Sequence, residues 1–261
     1  MKTVLIISGH GGTPYDPGAG GCGEVEAVQT RVVAQMIYDA MRKVGGLCPV
    51  LYDTKKDAYK VLRGGGSLPL VGVDYVIECH LNACVNDERG DGHTTGTEVL
   101  VHTSEKGVAV EEAIARRIAA FGLKNRGVKR RGDLLVMNTV KRHGISHALI
   151  EFCFIDDRDD MNVFLPNREK IARAVVAGVC EGFGIEYEED TEMSTQEMKK
   201  MIREEIEAYM GEREAKPVSK YAEGAWDRAT RAGITDGTMP RGFSTREQDI
   251  VLLDRCGLIG K

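Results

Sequence analysis

Three apolar runs in this chain end in side chains that bind metals or move protons. Val4–Ile7 leads into Ser8-Gly9-His10. Asp74–Cys79 closes with Glu78-Cys79-His80, followed by Leu81-Asn82-Ala83. His147–Ile150 is followed by Glu151. A helical pattern after the glycine-rich stretch 9–23 opens with Glu24 and Glu26. Neutral imidazole and carboxylate are good zinc ligands, and three protein ligands leave one position free for water. Taken singly, each residue has an ordinary explanation. A His after a strand usually bonds within its loop, a Glu at a helix start is favoured by the helix dipole, and Glu151 could serve in an ion pair. Their coincidence is the signal. A charged Glu directly after an apolar strand is costly unless it is paired or used.

The elements that must position these groups read as an α/β fold. Val4–Ser8, Pro49–Tyr52, Asp74–Cys79, Gly96–His102 and His147–Glu151 are short apolar runs bounded by turn residues, and Leu134–Met137 reads as a further strand. Glu24–Lys43, Glu111–Phe121 and Asn167–Phe183 carry helical spacing, the last with Ile171, Val175, Val179 and Phe183 in phase. Alternating strands and helices predict a mostly parallel twisted sheet flanked by helices, with a small helical C-terminal module. In such sheets ligands bind beyond the carboxyl ends of the strands, where His10, His80 and Glu151 would meet.

The run Ile7-Ser8-Gly9-His10-Gly11-Gly12, then Glu26 opening a helix, then His80-Leu81-Asn82-Ala83, then Leu149-Ile150-Glu151-Phe152 resembles the zinc-dependent N-acetylmuramoyl-L-alanine amidases. The likeness is to the catalytic domains of phage endolysins and bacterial cell-wall amidases. It spans about residues 1–185, and Asn125-Arg126-Gly127-Val128 and Leu134-Leu135-Val136 also look like stretches of that family. The resemblance implies Zn2+ held by His10, Glu26 and His80, with Glu151 as the catalytic acid/base. Glu24 is a rival to Glu26, two residues away. It also implies a peptidoglycan substrate, cut at the amide between N-acetylmuramic acid and L-alanine of the stem peptide. Two other readings stand beside this one: a catalytically silent wall-binding protein on the same fold, and a dinucleotide-dependent oxidoreductase. The oxidoreductase reading rests on Gly18–Gly23, which matches GxGxxG formally but lies about ten residues beyond the strand a true fingerprint follows. We read those glycines as the rim of a cleft.

Composition narrows the field. The chain has 261 residues, 42% of them hydrophobic and 29% charged, as in an ordinary globular protein. Lys and Arg number 35 against 40 Asp and Glu, a net charge of -5, and aromatic residues make up only 6%. A nucleic-acid partner is therefore not expected. The seven cysteines are odd in number and form no CxxC pair, which argues against a disulfide framework and for a reducing compartment. Cys79, Cys84 and Cys153 fit no familiar structural zinc spacing, and nothing marks Cys153, beside His147, as an activated thiol. No apolar stretch reaches membrane-spanning length and Val4–Ile7 is too short for a signal-peptide core. The expectation is synthesis in the cytoplasm and action on the wall after release. Lys124, Arg126, Lys129, Arg130, Arg131, Lys141 and Arg142 form a basic cluster that could meet stem-peptide carboxylates.

Composition changes after Ile185. We expect a catalytic domain over 1–187, a linker with an amphipathic helix over 188–217, and a small module over 218–261. The linker starts acidic, carries a capping-box signal at Ser194 and Glu197, and continues with a stripe of Met198, Met201, Ile202, Ile206, Tyr209 and Met210. Such a stripe packs on its own chain or joins copies into a homo-oligomer through residues 194–261. Trp226-Asp227-Arg228-Ala229-Thr230-Arg231-Ala232-Gly233, with Ile234-Thr235-Asp236-Gly237-Thr238 and Ser244-Thr245-Arg246-Glu247, resembles one shortened surface-layer-homology motif, which would attach the module to the wall.

Overall fold

A computed structural model describes residues 1–12, 16–187 and 195–258, with the backbone alone over 195–198. In chain order the elements are β1 (Lys2–Ser8), β2 (Gly20–Gly21), β3 (Glu24–Val25), α1 (Glu26–Met41), β4 (Leu47–Leu51), α2 (Ala58–Arg63), β5 (Tyr75–Asn82) and β6 (Thr97–His102). They continue with α3 (Ala109–Ala119), β7 (Asn125–Arg131), α4 (Leu135–Arg142), β8 (Ser146–Phe154), α5 (Arg158–Phe183), α6 (Thr195–Glu214), α7 (Glu223–Arg231) and α8 (Arg246–Arg255). The chain divides into two compact units, Met1–Glu189 and Asp190–Lys261.

The first unit is built on a six-stranded sheet in the order β4-β1-β5-β8-β6-β7. Strands β4, β1, β5 and β8 are parallel to one another, whereas β6 runs antiparallel to β8 and parallel to β7. The expected mostly parallel sheet is what the chain forms. Period-2 alternation divides its side chains between two cores. Val4, Ile6, Ile77, Ile150 and Phe152 are fully buried in a core shared with Val33 and Ile37 of α1, Ile114 of α3 and Val175 of α5. On the opposite face Leu5, Ile7 and Val76 pack with Ala58 of α2 and with Val136 and Val140 of α4. The antiparallel turn-back of β6 has a consequence for function. It brings the N-terminal ends of β6 and β7, with Glu98 and Arg126, to the edge where β1, β5 and β8 end.

Two local expectations need correction. Leu134–Met137 is not a strand: the helix α4 starts at Leu135 and buries Val136, Met137 and Val140 on one face. A four-residue apolar run cannot separate the two structures by periodicity. The helix expected from Asn167 begins at Arg158 and carries Pro166 inside it, with the Asp157 side chain capping the amides of Asp159 and Asp160. Asn125–Arg131, whose cations show no alternation in the sequence, forms the edge strand β7.

In the second unit, α7 and α8 flank the Gly233–Thr238 turn region. Helix α8 has a complete capping box, with Thr245 and Gln248 bonded reciprocally. Neither helix buries a residue. On α6, Met201, Ile202, Ile206 and Tyr209 are exposed. Arg213 stacks over the Phe243 ring and bonds the Arg241 carbonyl, and Arg255 bonds the Ile234 carbonyl. Ser194 and the acidic run from Glu188 to Glu192 lie outside the described residues, as do the side chains of Glu197 and Met198. No helix among the described residues is long and apolar enough to cross a membrane.

Candidate active site

His10 follows β1 at φ 64°, a left-handed conformation that few residues other than glycine adopt. Such strain often sits at functional sites and needs support from its surroundings. Here the Arg31 guanidinium bonds the His10 carbonyl at 3.1 Å, and the Thr30 hydroxyl donates to the Gly9 carbonyl at 2.9 Å. A Cβ on Gly9 would lie 2.4 Å from His80 Cε1, so only glycine lets the loop pass this close to the second imidazole. Gly18, at φ 68°, has the same role on the other side. A Cβ there would meet Glu26 Oε2 and His10 Cδ2, both at 2.7 Å. Gly9 and Gly18 are thus packed against the site as well as bordering it.

Glu26 starts α1 and is almost fully buried. The preceding loop satisfies the first helical amides, because the Ala19 and Pro17 carbonyls accept from Glu26 and Ala27. The Glu26 carboxylate accepts from the Ala19 amide at 2.8 Å and the Leu81 amide at 3.1 Å. Its Oε1 also lies 3.1 Å from His10 Nε2 and 2.9 Å from His80 Nδ1. The two rings meet edge to face with centroids 5.0 Å apart. One donor atom from each of His10, Glu26 and His80 lies within 4.8 Å of the others. Burial pushes the Glu26 carboxyl up, but the bonds from His10 and His80 outweigh it and hold it far below the usual range. Glu24 is elsewhere: its carboxylate accepts from Gln29 at 2.6 Å.

The nitrogens of both rings that face away from this centre also meet carboxylates. His10 Nδ1 is 2.9 Å from Asp16, and His80 Nε2 is 3.3 Å from Glu78. The second oxygen of Glu78 accepts from His147 Nε2 at 3.0 Å. Burial raises the Glu78 carboxyl, yet the bonds from His147 and His80 bring it to about 2. No sequence signal marks Asp16, and none links Glu78 to His147, 69 residues away.

Glu151 stands beside His80 across the β5–β8 pairing, next to the register shift between His80 and Asn82. Bulges of this kind re-aim side chains beside active sites. Glu151 Oε2 is buried, with no hydrogen-bond partner among the described residues. Burial raises its carboxyl, His80 draws it down, and the Glu26, Glu98 and Glu78 carboxylates push it up again, to about 7. Glu98, its partner across β6 and β8, is stabilised in the opposite sense. Burial raises it, but Arg126 and Lys129 bond its Oε2 and hold it down. Two neighbouring glutamates thus differ in proton affinity, which is how acid–base roles are separated in active sites.

A cavity of about 300 Å³ opens at this edge, lined by Asp57, Glu78, His80, Leu134, Leu135 and Leu149 among others. The basic cluster, by contrast, is largely occupied within the chain. Besides the two cations on Glu98, Lys141 pairs with Glu105 at 3.1 Å and Arg131 with Asp133 at 2.6 Å. Cys153 is buried, its thiol contacting Met161 Sδ at 3.7 Å. Burial and nearby carboxylates raise it well above the ordinary thiol range, the opposite of an activated nucleophile.

A family model described as N-acetylmuramoyl-L-alanine amidase matches residues 4–182, and the chain belongs to that family. Among solved structures it is similar to the catalytic domain of the CD27L endolysin targeting Clostridia difficile. That match has 27% identity and a TM-score of 0.56 over 72% of this chain and 100% of the other. It is also similar to the N-acetylmuramoyl-L-alanine amidase AmiC2 of Nostoc punctiforme, at 21% identity and a TM-score of 0.55 over 70% of this chain and 97% of the other. The catalytic domain of CwlV from Bacillus (Paenibacillus) polymyxa var. colistinus matches at 19% identity and a TM-score of 0.57, over 71% of this chain and 100% of the other. These last two likenesses concern the fold. A curated relative, Probable autolysin PH of Staphylococcus aureus, is 26% identical over 195 residues, 69% of this chain. The chain spans only 38% of that relative's length.

Proposed function

We propose that this protein hydrolyses peptidoglycan at the amide between N-acetylmuramic acid and L-alanine, using zinc held by His10, Glu26 and His80 and a proton carried by Glu151. The observation that carries this reading is the convergence of the three donor atoms within 4.8 Å beside a buried carboxyl poised at about 7. The donor set is chemically right for zinc, with two imidazoles and one carboxylate. A bound zinc ion would supply the Lewis-acid charge that polarises the scissile carbonyl and acidifies water.

The remaining work falls to the chain. The Ala19 and Leu81 amides hold the Glu26 carboxylate in place, and Asp16 and Glu78 hold the rings of His10 and His80. Glu151 Oε2 accepts the proton of the attacking water and returns it to the departing L-alanine nitrogen. A carboxyl with this proton affinity can do both near neutral pH. The cavity beside Leu134, Leu135 and Leu149 receives the apolar part of the substrate. Because every one of these donors is retained, a silent wall-binding role has less support than catalysis.

An endolysin role is supported by the likeness to the CD27L catalytic domain. We assign wall attachment or self-association to residues 218–261, with self-association extending over residues 194–261, whose described helices expose apolar side chains. The test is mass analysis of digested peptidoglycan. The native protein should release peptides with a free L-alanine amino terminus, and Glu151→Ala should not. A digest dominated by glycan or peptide-bond cleavage would refute the assignment.

A further inference from the structure

The mechanism uses one nitrogen of His80, but the opposite nitrogen is held by an arrangement that catalysis alone does not explain. Val76, Glu78 and His80 alternate onto one face of β5, and His147, Leu149 and Glu151 do so on β8. On this face Glu78 is a charged residue in a strand interior, 6% exposed, with cores of apolar side chains on both faces of the sheet. Burial of that kind persists only where the charge is fully bonded. Glu78 has two bonds: Oε2 to His147 Nε2 at 3.0 Å and Oε1 to His80 Nε2 at 3.3 Å.

A carboxylate only accepts, so both imidazoles must present an N–H at Nε2. A neutral His80 ring that keeps its N–H at Nε2 carries its lone pair on Nδ1, the atom that lies 2.9 Å from Glu26 Oε1 and would ligate zinc beside that carboxylate. His147 is 2% exposed, and its Nδ1 is buried with no partner among the described residues. A buried bare nitrogen is unfavourable, so His147 gives up one bond to keep its other nitrogen on Glu78. The corresponding partner of His10 is much more open, since the Asp16 side chain is 27% exposed against 8% for Glu78.

We propose that Glu78 and His147 act as a buried clamp that fixes the ring orientation and tautomer of His80, so that Nδ1 presents its lone pair to zinc. The proposal rests on the metal-site reading above and names two positioning residues for it. Outer partners of metal-bound histidines commonly govern metal affinity, and their loss typically weakens it 10–100-fold.

The test is zinc affinity of the full chain, measured by competition with a chromogenic chelator. It is combined with long-range 1H–15N spectra of the zinc-saturated protein and thermal unfolding of the stripped protein. Glu78→Gln should bind zinc 10–100-fold more weakly and lose the slowly exchanging Nε2–H signal of His80. His147→Gln retains a donor for Glu78 and should bind zinc within about threefold of the native chain. His147→Leu should fall with Glu78→Gln. If Glu78→Gln fails to fold, the His147 pair decides alone. Unchanged zinc affinity in Glu78→Gln and His147→Leu, with only a lowered unfolding temperature, would reduce the pair to a structural ion pair and overturn the proposal. A native chain that takes up no zinc would overturn the metal-site reading, and the clamp with it.

Discussion

The two units of this chain treat polar and apolar groups in opposite ways. In Met1–Glu189, Glu26, Glu78, Glu98 and His147 are buried between strands and helices. Each has named partners 16 or more residues away in sequence. In Asp190–Lys261, Ile202, Ile206, Tyr209, Ile250 and Leu253 are exposed, and neither α7 nor α8 buries a residue. The first unit uses a closed core to hold charges at set distances, which chemistry requires. The second presents apolar side chains outward, as a surface for association does. Under the proposed assignment, chemistry and adhesion separate along the chain, and each can be perturbed without the other.

Four substitutions probe that separation. The largest effect is expected for Glu151→Ala, which should lower turnover 10²–10⁴-fold, as loss of a general acid–base does. Zinc content, read by metal analysis, should stay unchanged. Next is Ile77→Ala, a cavity in the fully buried core of the first unit. It should cost about 2–5 kcal/mol in denaturant unfolding.

Third is a pH effect in metal-stripped protein. Glu151 has a folded-state value of about 7, above its value in an unfolded chain, so the fold favours its neutral form. Its contribution to stability is complete in acid and is lost as pH rises from roughly 4 to 7. The loss reaches at most about 3 kcal/mol. Glu151→Gln should remove that loss, so the difference between variant and native unfolding free energies should grow between pH 5 and pH 8. A constant difference would contradict the raised proton affinity. The smallest effect is expected for Ile206→Glu, at a position 53% exposed. Unfolding should shift by no more than about 0.5 kcal/mol. Sedimentation and wall retention are the properties it should change.

The parts of the site legible in sequence are those encoded locally. His10 follows β1, His80 and Glu151 stand near the carboxyl ends of β5 and β8, and Glu26 opens a helix, so strand-end and helix-start signals reach all four. Pairing Glu78 with His147 requires contact across 69 residues, which no local period reveals. Asp16 meets His10 from six residues further along the chain, a contact that no helical or strand period marks. The fold was legible to a similar extent. Apolar strands with clear boundaries were recognisable, whereas in β7 Val128 is the one apolar residue beside four cations, which are stabilised in place by Glu98, Glu105 and Asp133. Pro166 misplaced the start of α5, because a proline reads as a break although this helix accommodates one.

The most direct measurement is the appearance of new L-alanine amino termini from peptidoglycan, followed with native, chelator-stripped and zinc-restored protein. Activity should vanish on stripping and return with one equivalent of zinc per chain. Undiminished release by stripped protein would contradict a reaction centred on His10, Glu26 and His80.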